Sequence, residues 1–275
     1  MKISTNEAIS AIYYALWQCG YEYAHIERDG AHMDALAAFS TGQAHPFFKG
    51  VRQSTCEVYP YWPRAALLET ASFYVTQGKF NDFEELRCKI MSMPNVADNE
   101  RNEQFWGWLA NFPQALQIVM NSEGFRQYLA WEYAWCDQLC LQRREELERI
   151  QRCIDVCQAR YASPVRDVQL LISPIKCVYS ADYHLVGETF VFSSGRLAAA
   201  SVIHEFLHHV VHPAVLRCAE VIPERTYPGL DASYYTAGKV NAFEEYAVRC
   251  LTDLAMADAL PKDLDEFMQV LLENN

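Results

Sequence analysis

The residues best suited to chemistry in this sequence are two histidines and a glutamate in the stretch VIHEFLHHVVHP, residues 202–213. His204 and His208 are four positions apart, which on an α-helix places both side chains on one face, one turn from each other. Neutral imidazoles in that arrangement can bind one Zn²⁺ ion at about 2.0–2.1 Å. Glu205 is rotated by about 100° from His204 and can accept a proton from a water that the ion activates. The pattern therefore predicts a zinc site with Glu205 as general base.

The alternative is that these are ordinary polar residues of a buried helix. The preceding run, RLAAASVI, is apolar, so a charged Glu205 in the same helix is costly unless it has a partner or a chemical role. A strand-like segment comes directly before the helix, and a second predicted helix downstream contains carboxylates. These features favour the metal site.

A catalytic zinc ion needs a third protein ligand and one position left open for water. A third histidine ten residues after His204 is excluded, because position 214 is Ala. His209 points away from the shared face and His212 lies a further turn along, so neither is a strong candidate. The segment NAFEEYAVRC, residues 241–250, offers Glu244 and Glu245 instead.

HEFLH followed by EEYA resembles the gluzincin group of zincin metallopeptidases, in a bacterial-type family, over about residues 185–255. That group takes its third ligand from a Glu on a second helix, where the Glu opens a short pattern ending in an aromatic or aliphatic residue and a small one. Glu244 fits this register through Tyr246 and Ala247. The resemblance implies that His204, His208 and Glu244 bind zinc, with Glu245 as the second choice. Glu245 also has Arg249 four positions on as a possible surface ion pair.

The same resemblance implies a hydrogen-bond donor for the oxyanion of the reaction, and Tyr235 or Tyr234 lies at the right place in the sequence. Carboxylates that orient the ligating imidazoles are also expected, with Asp253 and Glu220 as candidates. We expect the strand at 187–194 to be an edge strand that pairs with an extended substrate.

The hydrophobic periodicity predicts an α+β fold that is mostly helical. A helical N-terminal region, residues 1–160, precedes a zincin-like region, residues 161–275, and the two can pack as a single domain. The second region contains a small mixed sheet, the active-site helix and the Glu-bearing helix. Ser193 or Ser194 is expected to cap the active-site helix and Pro213 to end it. Helices are predicted at 5–19, 64–77, 82–92, 104–118, 123–160, 195–212, 239–257 and 264–273, a loop at 93–103, and strands at 168–179 and 183–194, which form a hairpin through residues 180–182.

Composition limits the possible partners and the compartment. The chain has 275 residues and a net charge of −12, which disfavours nucleic acid and anionic membranes as partners. Its N-terminus is typical of an amphipathic helix rather than a signal peptide, so a cytoplasmic location is expected. Ten cysteines are then expected to be reduced and buried, including the i, i+4 pairs Cys136 with Cys140 and Cys153 with Cys157.

The leading hypothesis is a zinc-dependent hydrolase of peptide bonds that acts on a peptide or protein substrate. Two alternatives remain open. One is a zincin-like protein that binds a partner without turnover. The other is a structural zinc site, which needs a fourth protein ligand.

Overall fold

A computed structural model of the chain describes residues 1–20, 30–41, 44–52, 65–76, 107–161, 163–178, 181–236 and 238–273. These residues are mostly helical and include a four-stranded mixed sheet, so the predicted α+β class is confirmed. The predicted helix at 82–92 and the loop at 93–103 lie outside the described residues. The helices are α1 (Glu7–Gln18), α2 (Gly30–Ala37), α3 (Pro46–Lys49), α4 (Ala66–Thr76), α5 (Phe112–Met120), α6 (Glu123–Gln142), α7 (Arg144–Tyr161), α8 (Ala199–Arg217), α9 (Lys239–Met256) and α10 (Leu264–Glu273), with short 3₁₀ turns at Gly50–Arg52 and Ala232–Tyr235.

The sheet combines one strand from the N-terminus with three strands from residues 167–194. Its strands are β1 (Ile3–Ser4), β2 (Asp167–Ile172), β3 (Ala181–Val186) and β4 (Thr189–Ser194), in the order β1-β2-β4-β3. β1 and β4 run parallel to β2, whereas β3 is antiparallel to β4 and forms an edge. The hairpin predicted through residues 180–182 is therefore wrong: the tight turn is at Gly187, whose φ of 64° suits a residue without a side chain.

The two faces of the sheet pack against different helices. Leu171 and Val191 join the core of α1, α4, α5 and the start of α6. Phe190 and Phe192 join a second core with α7, α8, α9 and α10. The N-terminal and C-terminal regions therefore share one sheet, and α7 packs against α8, the helix that contains His204 and His208.

Helix α8 differs from its prediction at both ends. Its N-cap is Ala198 rather than Ser193 or Ser194, and the carboxylate of Glu146 on α7 accepts the N–H of Ala199 at 2.9 Å. This cap comes from a distant part of the chain, so local sequence does not reveal it. Pro213 lies inside α8, which continues to Arg217 because Ala214 and Val215 are buried in the core.

The predicted long helical region at 123–160 is two helices, α6 and α7, which are separated at Arg143. Buried residues recur along α7 on one face, against α8. The helices predicted at 239–257 and 264–273 agree with α9 and α10 within one residue.

Candidate metal centre

His204 and His208 face the same space, as the helical spacing predicts. Buried apolar residues on the opposite side of α8, including Val202, Phe206 and Val210, hold the helix against the sheet. The two imidazoles meet edge to face, with ring centroids 4.9 Å apart. Their Nε2 atoms are 3.3 Å apart.

Glu245, on α9, supplies the third converging atom. Its Oε2 is 3.6 Å from His204 Nε2 and 3.4 Å from His208 Nε2. Two ligands at about 2.0–2.1 Å from a tetrahedral zinc ion are separated by about 3.3–3.4 Å. The separations of the three atoms are close to this value, so the group could hold a metal ion. Within the described part of the chain, His204, His208 and Glu245 form the group of three potential metal ligands whose ligand atoms all lie within 4.8 Å of one another.

Glu244, the residue that the sequence pattern favours as ligand, is not part of that group. Its Oε1 is 3.2 Å from Nδ1 of His208, on the side of the ring away from His204. Its Oε2 is 2.7 Å from Nδ1 of His212. Glu245 takes the expected place, because burial of Phe243, Ala247 and Val248 fixes the rotation of α9 against α8.

The expected ion pair between Glu245 and Arg249 is present as well. Arg249 Nε donates to Glu245 Oε1 at 2.7 Å, so one oxygen of this carboxylate is held by Arg249 and the other faces the imidazoles. Ion pairing and metal binding are therefore compatible roles of the same side chain.

The electrostatics of the cluster favour a cation. Burial alone would lower the pKa of His208, but its contacts with Glu244 and Glu245 raise that pKa to about 9. Burial tends to raise the pKa of both glutamates, yet the neighbouring histidines hold it below the usual carboxyl value. Both carboxyls are thus charged at neutral pH, and the groups nearest to Glu244 are the imidazoles of His208 and His212.

Glu205 lies next to the trio and is half-buried. Burial raises the pKa of its carboxyl, while His208 and His204 oppose this effect. The carboxylate forms no hydrogen bond or ion pair with another described residue. A carboxylate without a competing donor can accept a proton from a neighbouring water molecule, as a general base does.

Tyr183 also faces the cluster, and sequence reasoning missed it. It lies on β3, and its ring is nearly parallel to that of His208, with centroids 6.2 Å apart and planes 10° apart. Burial first, and then the charges of Glu244 and Glu205, raise the pKa of its hydroxyl to about 12. Strand alternation is the signal that separates Tyr183 from Asp182 and His184, which contact the opposite side of the sheet.

The two tyrosines expected near the metal have other contacts. The hydroxyl of Tyr235 accepts the N–H of Tyr227 at 2.6 Å, which closes the turn before α9. The ring of Tyr234 lies 4.9 Å below the guanidinium of Arg249. Neither ring has a contact with His204 or His208 among the residues that the structure describes.

The remaining histidines and the expected orienting carboxylates are placed differently from the ligands. His209 Nε2 is 3.2 Å from Ser163 Oγ, away from the trio. Asp253 and Glu220 form no hydrogen bond with a histidine in the described ranges. Glu244 occupies the place at His208 that was expected of one of them.

The expectation of buried, reduced cysteines is met only in part. Eight of the ten are described, all as free thiols; four are buried (Cys136, Cys153, Cys157 and Cys177) and four, including Cys140, are partly exposed. Burial raises the pKa of Cys136 and of Cys157 to about 12, so both thiols stay protonated. Cys140 accepts the N–H of Ile3 at 3.2 Å, which ties α6 to β1.

Comparison of the chain with protein-family models, with curated proteins and with solved structures finds no match. Within the described residues, every helix is too short or too polar to cross a bilayer.

Proposed function

We propose that this protein is a zinc-dependent metallopeptidase of the gluzincin type, with His204, His208 and Glu245 as ligands. The observation that supports it most is the triangle of 3.3, 3.4 and 3.6 Å between Nε2, Nε2 and Oε2. Two imidazoles and one carboxylate form a donor set typical of catalytic zinc, which keeps a fourth position for solvent or substrate. A structural zinc site would need a fourth protein ligand near this triangle, and the described residues supply none.

The residues around the triangle suit hydrolysis of an amide. Zinc, when bound, would polarise the scissile carbonyl and lower the pKa of a bound water molecule to about 7. Glu205 takes one proton from the attacking water as the carbon–oxygen bond forms. It returns that proton to the amide nitrogen as the carbon–nitrogen bond breaks, so the products are a carboxylic acid and an amine.

A hydroxyl opposite the metal would stabilise the oxyanion formed in the attack. Tyr235 is the candidate that the sequence favours. Tyr183 is better supported, because its ring stacks beside His208 and its hydroxyl has no hydrogen bond to another described residue. We therefore assign the donor role to Tyr183 and a role in holding the loop to Tyr235.

The substrate is a peptide or protein chain in extended conformation. Among the described strands, β3 is an edge of the sheet and lies beside α8, the place where an extended chain would pair with the sheet. The segment 187–194, which was expected to take this role, contains the internal strand β4, already paired on both sides. From the composition alone, we place the activity in the cytoplasm. The net charge of −12 argues against nucleic acid or a membrane as a partner.

The proposal is tested by comparing wild type with Glu205→Gln and with Glu220→Gln as a matched control, since Glu220 is exposed. The measurements are zinc content and cleavage of a peptide library. We expect one zinc per chain in all three proteins, and cleavage by wild type and Glu220→Gln only. Wild type that binds zinc and cleaves no peptide would instead support the zincin-like binding protein without turnover.

A further inference from the structure

Glu244 lies between two imidazoles of the same helix. Its Oε1 is 3.2 Å from Nδ1 of His208 and its Oε2 is 2.7 Å from Nδ1 of His212. No arginine or lysine pairs with this carboxylate among the described residues. Both oxygens of Glu244 therefore contact histidine rings.

With a metal ion bound to Nε2 of His208, the one remaining ring proton is on Nδ1, which faces Glu244. Nε2 points at His204 and Glu245, and Nδ1 points at Glu244. A carboxylate can only accept, so a hydrogen bond to Glu244 requires the proton on Nδ1. That tautomer leaves the lone pair of Nε2 free to bind a metal ion, and the negative partner increases the basicity of the ring.

We propose that Glu244 is a positioning residue for the zinc site: it fixes the tautomer and ring orientation of His208, and His212 in turn holds Glu244. The chain of contacts runs from the exposed ring of His212 through Glu244 and His208 to the metal position. The inference rests on the proposed zinc site, but it does not depend on peptidase activity.

The neighbouring glutamates thus have separate tasks. Glu245 binds the metal with one oxygen, and Arg249 restrains the other at 2.7 Å. One oxygen of Glu244 contacts the metal ligand His208, and the other contacts His212. Consecutive residues on a helix are about 100° apart, which explains how one can face the metal while the other reaches behind His208.

The test is zinc affinity, measured by competition with a chromogenic chelator, for wild type, Glu244→Gln, Glu245→Gln and the control Glu220→Gln. Glu244→Gln keeps the shape of the side chain but removes its charge. We expect it to bind zinc about 10- to 100-fold more weakly than wild type. Glu245→Gln should lose more than Glu244→Gln, because it removes a ligand, and Glu220→Gln should be unchanged.

Absorption spectra of the Co²⁺-substituted proteins separate positioning from ligation. Glu244→Gln should keep the tetrahedral spectrum of wild type, whereas Glu245→Gln should alter it. The inference is overturned if Glu244→Gln binds zinc as tightly as wild type, or if it changes the Co²⁺ spectrum as strongly as Glu245→Gln.

A second variant, His212→Asn, guards against misfolding of Glu244→Gln, because His212 is exposed. It should weaken zinc binding by about 3- to 10-fold, a part of the loss expected at Glu244, and an unchanged affinity would remove His212 from the chain of contacts. Wild type that binds no zinc would overturn both this inference and the proposed function. Wild type that binds zinc without cleaving peptides would overturn the peptidase alone.

Discussion

Lys176 donates a hydrogen bond to Glu69 across 2.7 Å, and neither side chain has any solvent exposure. Lys176 follows β2, whereas Glu69 lies on α4 of the N-terminal helical region. Asp182 Oδ2 accepts from the same ammonium at 2.8 Å, and His184 Nε2 lies 2.7 Å from the other oxygen of Glu69. Asp182 and His184 flank Tyr183 on β3, so this buried network connects the helical region to the strand beside the metal centre.

The first prediction concerns the stability of this network. Glu69→Gln removes the charge opposite a fully buried ammonium, and breaking such a pair costs about 3–5 kcal/mol of unfolding free energy. Asp182 remains as a partner of Lys176, so we expect a loss near 3 kcal/mol in urea denaturation. The control is Glu148→Gln on the exposed pair with Arg144, where about 0.5 kcal/mol or less is expected. Equal losses in the two variants would contradict the prediction.

The second prediction is the acid dependence of the same network. Burial opposes ionisation of Glu69, but Lys176 and His184 outweigh it and hold the pKa of Glu69 well below the usual value of 4.5. Below about pH 4.5 the unfolded chain takes up a proton that the folded protein does not, so this contribution is lost as pH falls. The stability difference between wild type and Glu69→Gln should shrink as the pH falls below 4.5. A difference that stays constant down to pH 3 would show that Glu69 is not charged in the fold.

The third prediction concerns Glu132 on α6, whose contribution to folding stability falls as the pH rises rather than as it falls. This carboxyl is 2% exposed, its Oε2 has no hydrogen-bond partner among the described residues, and burial raises its pKa to about 8. The folded protein therefore binds the proton more tightly than the unfolded chain, and its stability declines as pH rises from about 4.5 to 8. The slope is at most about 1.4 kcal/mol per pH unit. Glu132→Gln should remove this decline and exceed wild type in stability at pH 8, as followed by urea unfolding at pH 5 to 8.

The fourth prediction compares the two tyrosines proposed as oxyanion donors. Tyr183→Phe should lower kcat by about 100-fold with zinc affinity unchanged, because a donor to the transition state is lost. Tyr235→Phe should change kcat less, since its hydroxyl accepts the N–H of Tyr227. The measurement is steady-state cleavage of one library-derived peptide at fixed zinc loading. A larger loss in Tyr235→Phe would restore the role that the sequence favours for that residue.

The periodicity of the sequence was sufficient to predict the helices that position the site. The spacing of His204 and His208 and the apolar residues between them define a helix with both imidazoles on one face, and the structure has them there. The bounds of α9 and α10 and the mixed α+β class follow equally from local pattern. These features depend on interactions within one or two helical turns, which a linear sequence displays directly.

The choice between Glu244 and Glu245 was decided only by tertiary structure. Both residues lie in one helix, and a rotation of about 100° between them determines which carboxylate meets the imidazoles. Packing of Phe243 and Val248 against the core sets that rotation. The same holds for the cap from Glu146, for Tyr183 and for the network at Lys176, because each joins residues distant in the chain. The sequence by itself thus determined which groups could bind a metal ion, whereas long-range packing decided which of them meet.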